Sequence, residues 1–287
     1  METLIQNKIL PAVKFRDERF GLSMTNQCHL LLELKPHAFR LAVVEDTSRA
    51  CLWLEEYRWA TPPNETKAIE DLQSIVKGHE FLGSGSWKSV MATVMNQSFT
   101  LIPMALFRRE YAPRYLYLAR GSQVSAQEEV HYHVHPKLGI VSVFSVERSV
   151  VDWLLDLYPF QEVKLIHQTS ALIEETLTSL QAHLYVEKEA FTLVVGHNGQ
   201  LRYCNRFQGK NPTDLVYFVL FALNELGLEP TETPLRLYGE VEWDDEMAID
   251  LGKYVPNMSF GTDYQEAFNT QTPSHRYASL FGILLAL

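Results

Sequence analysis

Cysteine is scarce: Cys28, Cys51 and Cys204 are the only three in 287 residues. Three thiols cannot all pair within one chain, and none sits in a Cys–x–x–Cys. The expected state is free thiols packed in strands, which suits a reducing compartment. Long apolar runs are also missing. LFGILLAL at 280–287 has eight residues, whereas a membrane span needs ~18 or more. The opening METLIQNKILPAVKFRDERF has neither the apolar core nor the small-residue cleavage site of a secretory leader. A basic excess is absent too: 25 Lys and Arg face 35 Asp and Glu, a net charge of −10. Counterion release needs clustered cations, so a generic nucleic-acid binder is excluded, and an acidic membrane surface would repel the chain. The expectation is a cytoplasmic protein with no membrane span and no nucleic-acid partner.

What is present is a folded chain. Hydrophobic residues make up 46% and charged residues 21%, a globular balance with length for one large or two ordinary domains. CHLLLELK (28–35), AFRLAVVED (38–46) and RACLWLEEYRW (49–59) read as a strand meander punctuated by Pro36–His37 and Thr47–Ser48. A helix follows over 64–79, with Asn64 as its N-cap. SVMATVM and FTLIPMALF read as strands. RREYAPRYLYLAR reads as a helix broken near Pro113. EVHYHVHPKLGIVSVFSV (129–146) reads as a hairpin turning at Pro136–Gly139. Helix, strand and helix then follow through ERSVVDWLLDLYP, EVKLIHQ and SALIEETLTSLQAH. Three more strands cover 183–207. A helix over 211–228 opens at Asn211–Pro212. PLRLYGEV is a strand, WDDEMAIDLGK a short helix, and HRYASLFGILLAL a last helix.

CHLLLELKPHAFRLAVVED (28–46) resembles AHLYVEKEAFTLVVGHN (182–198). The shared core is His29, Ala38, Phe39 and Leu41 in one copy and His183, Ala190, Phe191 and Leu193 in the other. Each copy continues into a third strand and a helix, which suggests a duplicated α/β unit.

This order is similar to that of the actin-like ATPases, and within them to the actin-like proteins of pilus assembly and cell division. Residues 140–181 resemble the strand–helix–strand–helix end of the first half. PLRLYGEV and YASLFGILLAL stand where that plan has its Gly-containing loop and closing helix. With FTLIPMALF, the chain also resembles a family of uncharacterised bacterial proteins with a degenerate actin-like fold. The resemblance covers roughly 27–287. It implies an α/β chain of duplicated actin-like ATPase (ribonuclease H-like) fold, two lobes with mixed sheets flanked by helices. Residues 1–166 would form the first lobe, with an inserted hairpin subdomain, and 167–287 the second.

Active members of that superfamily carry an Asp–x–Gly turn in each half. The glycine lets backbone N–H groups approach phosphate, and the aspartate holds Mg²⁺. Here the first turn reads Glu33–Leu34–Lys35–Pro36–His37 and the second Val186–Glu187–Lys188–Glu189. Neither has Asp or Gly, and Pro36 removes an N–H donor. The adenosine loop's paired glycines are reduced to Gly239–Glu240. A remnant nucleotide site would use Glu33, Glu187, Lys188 and Gly239, with ATP and Mg²⁺ as its ligands.

Other segments carry weaker signals. His131, His133 and His135 alternate in EEVHYHVHPKLG and share one face of a strand. They offer two or three ligands to Zn²⁺; the plainer reading is a polar hairpin face with Tyr132 and Val134 turned to the core. LGSGSWKS (82–89) lacks the Walker spacing and reads as a turn. FRREYAPRYLYLAR (107–120) interleaves arginines and tyrosines, a pattern that binds single strands in basic proteins; in this acidic chain it reads as a helix with an aromatic side and a solvated side. EVEWDDE (240–246) lacks the Gly of a Ca²⁺ loop and reads as acids at a helix start.

The sequence therefore points to a non-catalytic protein of actin-like fold, with no cofactor and with protein partners or a homodimer, acting as a scaffold. The related scaffolds imply an envelope or division assembly. A nucleotide-responsive switch is the alternative, and a metal-dependent enzyme at His131, His133 and His135 a further one.

Overall fold

Leucine and β-branched residues fill both faces of the first long strands, so the sheet they build is covered on both sides. The structure is a computed structural model that describes residues 9–83, 86–174, 181–209, 211–261 and 274–286. The chain divides into two compact units. One takes the residues up to Val134 together with Val141–His167; the other takes His135–Ile140 and the residues from Gln168 onward. The hairpin tip thus belongs to the second unit.

The first unit contains β1 (Val13–Arg16), β2 (Cys28–Lys35), β3 (Ala38–Glu45), β4 (Cys51–Arg58), α1 (Glu65–Gly78) and β5 (Ser89–Val94). There follow β6 (Phe99–Pro103), α2 (Ala112–Arg120), β7 (Glu128–His135), β8 (Ile140–Glu147), α3 (Arg148–Leu157) and β9 (Val163–His167). Its main sheet runs β1-β4-β3-β2-β5-β9. The β2–β3–β4 meander is antiparallel, while β5 joins β2 and β9 joins β5 in parallel. Trp53, Phe81 and Phe20 meet edge to face at its core, with centroids 5.1–5.7 Å apart. Burying each such side chain stabilises the fold by about 1.5–3 kcal/mol. A smaller sheet, β6-β8-β7, carries α2 on a separate cluster of Ala112, Leu116, Val141 and Val143.

The second unit contains α4 (Gln168–Glu174), β10 (Gln181–Val186), β11 (Ala190–His197), β12 (Gln200–Gln208) and α5 (Pro212–Glu225). It closes with β13 (Leu235–Gly239), α6 (Glu246–Gly252), β14 (Met258–Phe260) and α7 (Ala278–Phe281). Its sheet runs β12-β11-β10-β13-β14. An antiparallel meander again acquires two parallel neighbours, so the β4-β3-β2-β5-β9 pattern recurs. Gly239 ends β13 at φ +89°, and a Cβ there would lie 2.1 Å from the Val186 carbonyl oxygen. Only glycine allows β13 to lie beside β10 at that point.

Three local expectations change. Pro113 does not break the 107–120 helix but sits in its first turn, where no N–H is needed. The last segment is not one helix: 3₁₀ turns at Ser274–Tyr277 and Gly282–Ala286 flank the single α-turn of α7. FTLIPMALF is likewise a strand only to Pro103 and then a 3₁₀ turn. The helical reading of residues 175–180 and part of the LGSGSWKS turn lie outside the described residues.

Candidate functional site

The two turns that the resemblance would set at phosphate, Glu33–His37 and Val186–Glu189, are flanked by strands of defined register. In the first unit Glu33 on β2 stands opposite Arg40 on β3, and Arg40 opposite Glu56 on β4. Arg40 donates from Nη1 to Glu33 Oε2 at 3.0 Å and from Nη2 to Glu56 Oε1 at 3.3 Å. Arg58 Nε donates to the same Glu56 oxygen at 2.7 Å. All three members of the cross-strand row are sealed, with Glu33 0% and Arg40 1% exposed. A carboxylate placed in that setting needs its guanidinium, because an unpaired buried charge is costly.

The second unit repeats the chemistry with other residues. Arg206 on β12 stands opposite Thr192 on β11. Its Nη1 is bonded to the Glu187 carboxylate and reaches Gln168 Oε1 at 3.2 Å and Thr192 Oγ1 at 3.3 Å. The turn itself closes through the Glu187 N–H on the Ala190 carbonyl at 2.9 Å. Lys188 lies exposed on that turn. Gly239 pairs with Val186 in the parallel ladder, and the following Glu240 N–H is donated to the Val186 carbonyl at 2.8 Å. The predicted residues Glu33 and Glu187 are thus each tied to an arginine that motif reading passed over. A signal was available for two of them: Arg40 and Glu56 are charges inside runs of apolar strand residues, whereas Arg206 lies in the mixed polar strand QLRYCNRFQ.

His131, His133 and His135 lie on one strand, β7, as expected. Four residues of strand spread the outer pair over about 13 Å, which suits two neighbouring imidazoles on one ion better than three. The faces of β7 differ from expectation. Tyr132 is exposed at 39% and rests on Phe107 at 5.1 Å, while His131 stacks on Phe144 at 5.9 Å. Burial holds the His131 imidazole below its ordinary pKa. Val134 packs toward α2 as expected, and so does Val130, while Tyr132 on the same face stays partly open; the histidine face is covered at His131 by Phe144 and at the buried His135.

His135 is fully buried in the second unit. Its Nδ1 lies 2.5 Å from Glu174 Oε1 and its Nε2 3.2 Å from Ser170 Oγ. With the Nδ1 proton donated to the carboxylate, Nε2 accepts the serine hydroxyl. Serine, histidine and carboxylate in this order have the connectivity of an acyl-transfer triad. Ser170 is 0% exposed, however, and a nucleophile sealed in α4 meets no substrate. The set satisfies buried polar atoms. The thiols are equally inert: burial pushes Cys28 up to about 11 and Cys204 up to about 12, and raises Cys51 further.

The first unit also holds an open pocket of about 270 Å³ beside the β2–β3 turn. Leu34, Phe39, Leu72, Val94, Val146 and Val150 form its apolar walls, and Lys35, Asn96 and Glu147 its polar edge. Its volume and lining suit a few apolar side chains with a polar backbone.

Comparison with known proteins adds the fold. A family model described as a protein of unknown function, DUF3822, matches residues 17–258. A Bacteroides thetaiotaomicron protein with actin-like ATPase fold and unknown function superposes with a TM-score of 0.75 at 23% identity, covering 86% of this chain and 97% of its own. The type IV pilus biogenesis complex PilM–PilN gives a TM-score of 0.59 at 14% identity, covering 90% of this chain and 97% of that one. No curated protein sequence matches. The fold is therefore that of the actin-like ATPases, mixed α/β with helices flanking the sheets.

Proposed function

The chain belongs to the DUF3822 family, and from that footing we propose that it works without catalysis, as a protein of actin-like fold that binds protein partners. The observation that carries this reading is the pair of buried arginine–carboxylate sets. Glu33 with Arg40, and Glu187 with Arg206, are paired at the two turns that the resemblance would assign to phosphate and Mg²⁺. A carboxylate neutralised by a guanidinium attracts a cation weakly, and Pro36 leaves one fewer N–H for an anion. The apolar pocket beside the β2–β3 turn is the natural seat for a partner segment. PilM, a protein of similar fold, is known in a complex with PilN, which fits a partner-binding use of this architecture.

The test has two arms. A thermal melt with and without millimolar ATP and Mg²⁺ should show no shift, where a ligand at 100 times its Kd would add about 2.7 kcal/mol. A shift abolished by Glu187→Ala or Lys188→Ala would make the chain a nucleotide switch instead. In the second arm, Ala68→Phe fills the pocket from its rim. Tagged wild-type chain should retain a protein partner that the variant loses. Retention of the same partners by both would remove the pocket from the proposal.

The metal-dependent reading keeps one supporting observation. His135 carries a carboxylate partner, Glu174, and such pairing is common behind metal-ligating histidines.

A further inference from the structure

Two exposed surfaces of opposite charge, one in each unit, are carried by a chain whose net charge is −10. The first belongs to α2 and the turn before it. Ala112 and Leu116 anchor α2 inward, which leaves Arg114, Tyr117 and Leu118 together on the outer face at i, i+3 and i+4. Leu118 is 78% exposed and Leu106, just ahead of the helix, 68%. Arg108, Arg109 and Arg114 form no ion pair with any described residue. Two of them lie over aromatic rings instead: Arg109 is 5.8 Å from the centre of Tyr132 and Arg114 5.1 Å from that of Tyr111. Solitary exposed leucines are ordinary. Exposed leucine and tyrosine on the same short segment as guanidinium groups without an ion pair match the composition of an interface centre.

The second surface lies on α6 and its approach. Ala248 and Leu251 anchor this helix, leaving Glu246, Ile249 and Asp250 together outside at the same spacing. Trp243, Ile249 and Tyr254 are each at least 50% exposed. Asp244 and Glu246 form no ion pair with any described residue, and Asp245 accepts only the Glu242 N–H, at 2.7 Å. Each surface thus offers three charges without a salt-bridge partner of opposite sign, alongside exposed apolar side chains. Arginine binds carboxylate in a fixed fork, so the two sets are chemically matched.

We propose that the α2 face of one copy docks on the α6 face of a second copy, so that the chain associates with itself through two different surfaces. Charge complementarity selects this occupant: the partner that three arginines amid tyrosine and leucine require is already present on the same chain. A contact between unlike surfaces is heterologous and leaves the pair with one unused surface of each kind, an α6 face on one copy and an α2 face on the other. The proposal goes beyond the partner-binding reading and is independent of whether the turns hold nucleotide.

The test is sedimentation equilibrium of the full chain from low to high micromolar concentration. Wild-type mass should rise with concentration. The double charge reversals R109E/R114E and D244K/E246K should each weaken association about tenfold or more, since like charges then face each other. Each variant should keep the wild-type melting temperature, because every altered residue is exposed. Mixing the two variants in equal amounts should restore a complex, because the reversed α2 face of one meets the reversed α6 face of the other. A strictly monomeric wild type would overturn the proposal, as would association untouched by both reversals. So would nucleic acid that copurifies with the wild type and is lost from R109E/R114E, which would give the α2 face a different occupant.

Discussion

Arg40 stands between Glu33 and Glu56 on three adjacent strands and is hydrogen-bonded to both, with its guanidinium 1% exposed. Two carboxylates converge on one cation, and Arg58 supplies the second positive charge at Glu56. With the exposed Arg58 counted the set is neutral, which offsets the cost of burying Glu33, Arg40 and Glu56.

Arg40→Met should therefore be far more damaging than its volume change suggests. It leaves Glu33 without the cation that holds it, and the expected loss is about 3–5 kcal/mol of unfolding free energy. Replacing Glu33, Arg40 and Glu56 together by leucine or methionine should recover most of that loss. Urea denaturation of the single and triple variants checks both outcomes; equal losses would show that packing, and not pairing, sets the cost.

Gly239→Ala should destabilise the second unit by about 3 kcal/mol or more, through both the left-handed backbone and the collision with Val186. The effect should appear in the absence of any ligand. A variant with wild-type melting would return Gly239 to the set of residues kept for a nucleotide.

Acid should unfold the chain partly through Glu55 and Glu128. Burial pushes the Glu55 carboxyl up, yet hydrogen bonds from His79, Tyr57 and Lys14 outweigh it and hold it at about 2. Arg120 does the same for Glu128, also at about 2, against the opposing effect of burial. Both carboxyls are lowered relative to the unfolded chain, so their contribution is complete above the ordinary range near 4.5 and fades as pH falls toward 2. Glu128→Gln should lower stability at neutral pH by about 1–3 kcal/mol and flatten its decline between pH 5 and about 2. Melting temperature against pH for the two proteins makes the comparison; parallel curves would remove Glu128 from the acid response.

Zinc should leave the melting temperature of chelator-treated protein unchanged, because His135 is already engaged by Glu174 and Ser170. An increase that disappears in both His133→Ala and His135→Ala would establish the metal reading. His135→Ala alone should cost about 1–3 kcal/mol, since it strands buried polar partners.

Much of this architecture could be read from local chemistry. Asn64 and Asn211 cap their helices as expected, accepting from Lys67 N–H at 2.9 Å and Asp214 N–H at 2.8 Å. The meander turns fall at Pro36–His37 and Thr47–Ser48 because those residues punctuate strands. What escaped depends on register or on a second covering layer. Nothing in the spacing of Glu187 and Arg206, nineteen residues apart, says that they meet; strand pairing decides it. Alternation places Tyr132 with Val134 on the core side and the histidines outside, and it cannot show that His131 packs on Phe144 and His135 is buried while Tyr132 stays exposed. Pro113 was given its helix-interior role because the helix start was placed too early. The arginines that neutralise the two turns were invisible to a search for what was missing from the motifs.

The neutral set of Glu33, Arg40, Glu56 and Arg58 also bears on how such a chain changes over generations. Substituting Glu33 alone leaves Arg40 with a weakened set of partners, and substituting Arg40 alone takes a guanidinium from both buried carboxylates, with Arg58 remaining at Glu56. Any path toward an open, phosphate-binding turn therefore passes through an unstable intermediate unless several positions change together. The same holds for Glu187 and Arg206 in the other unit. The two ion-pair sets act as an epistatic lock that holds each turn closed against single substitutions.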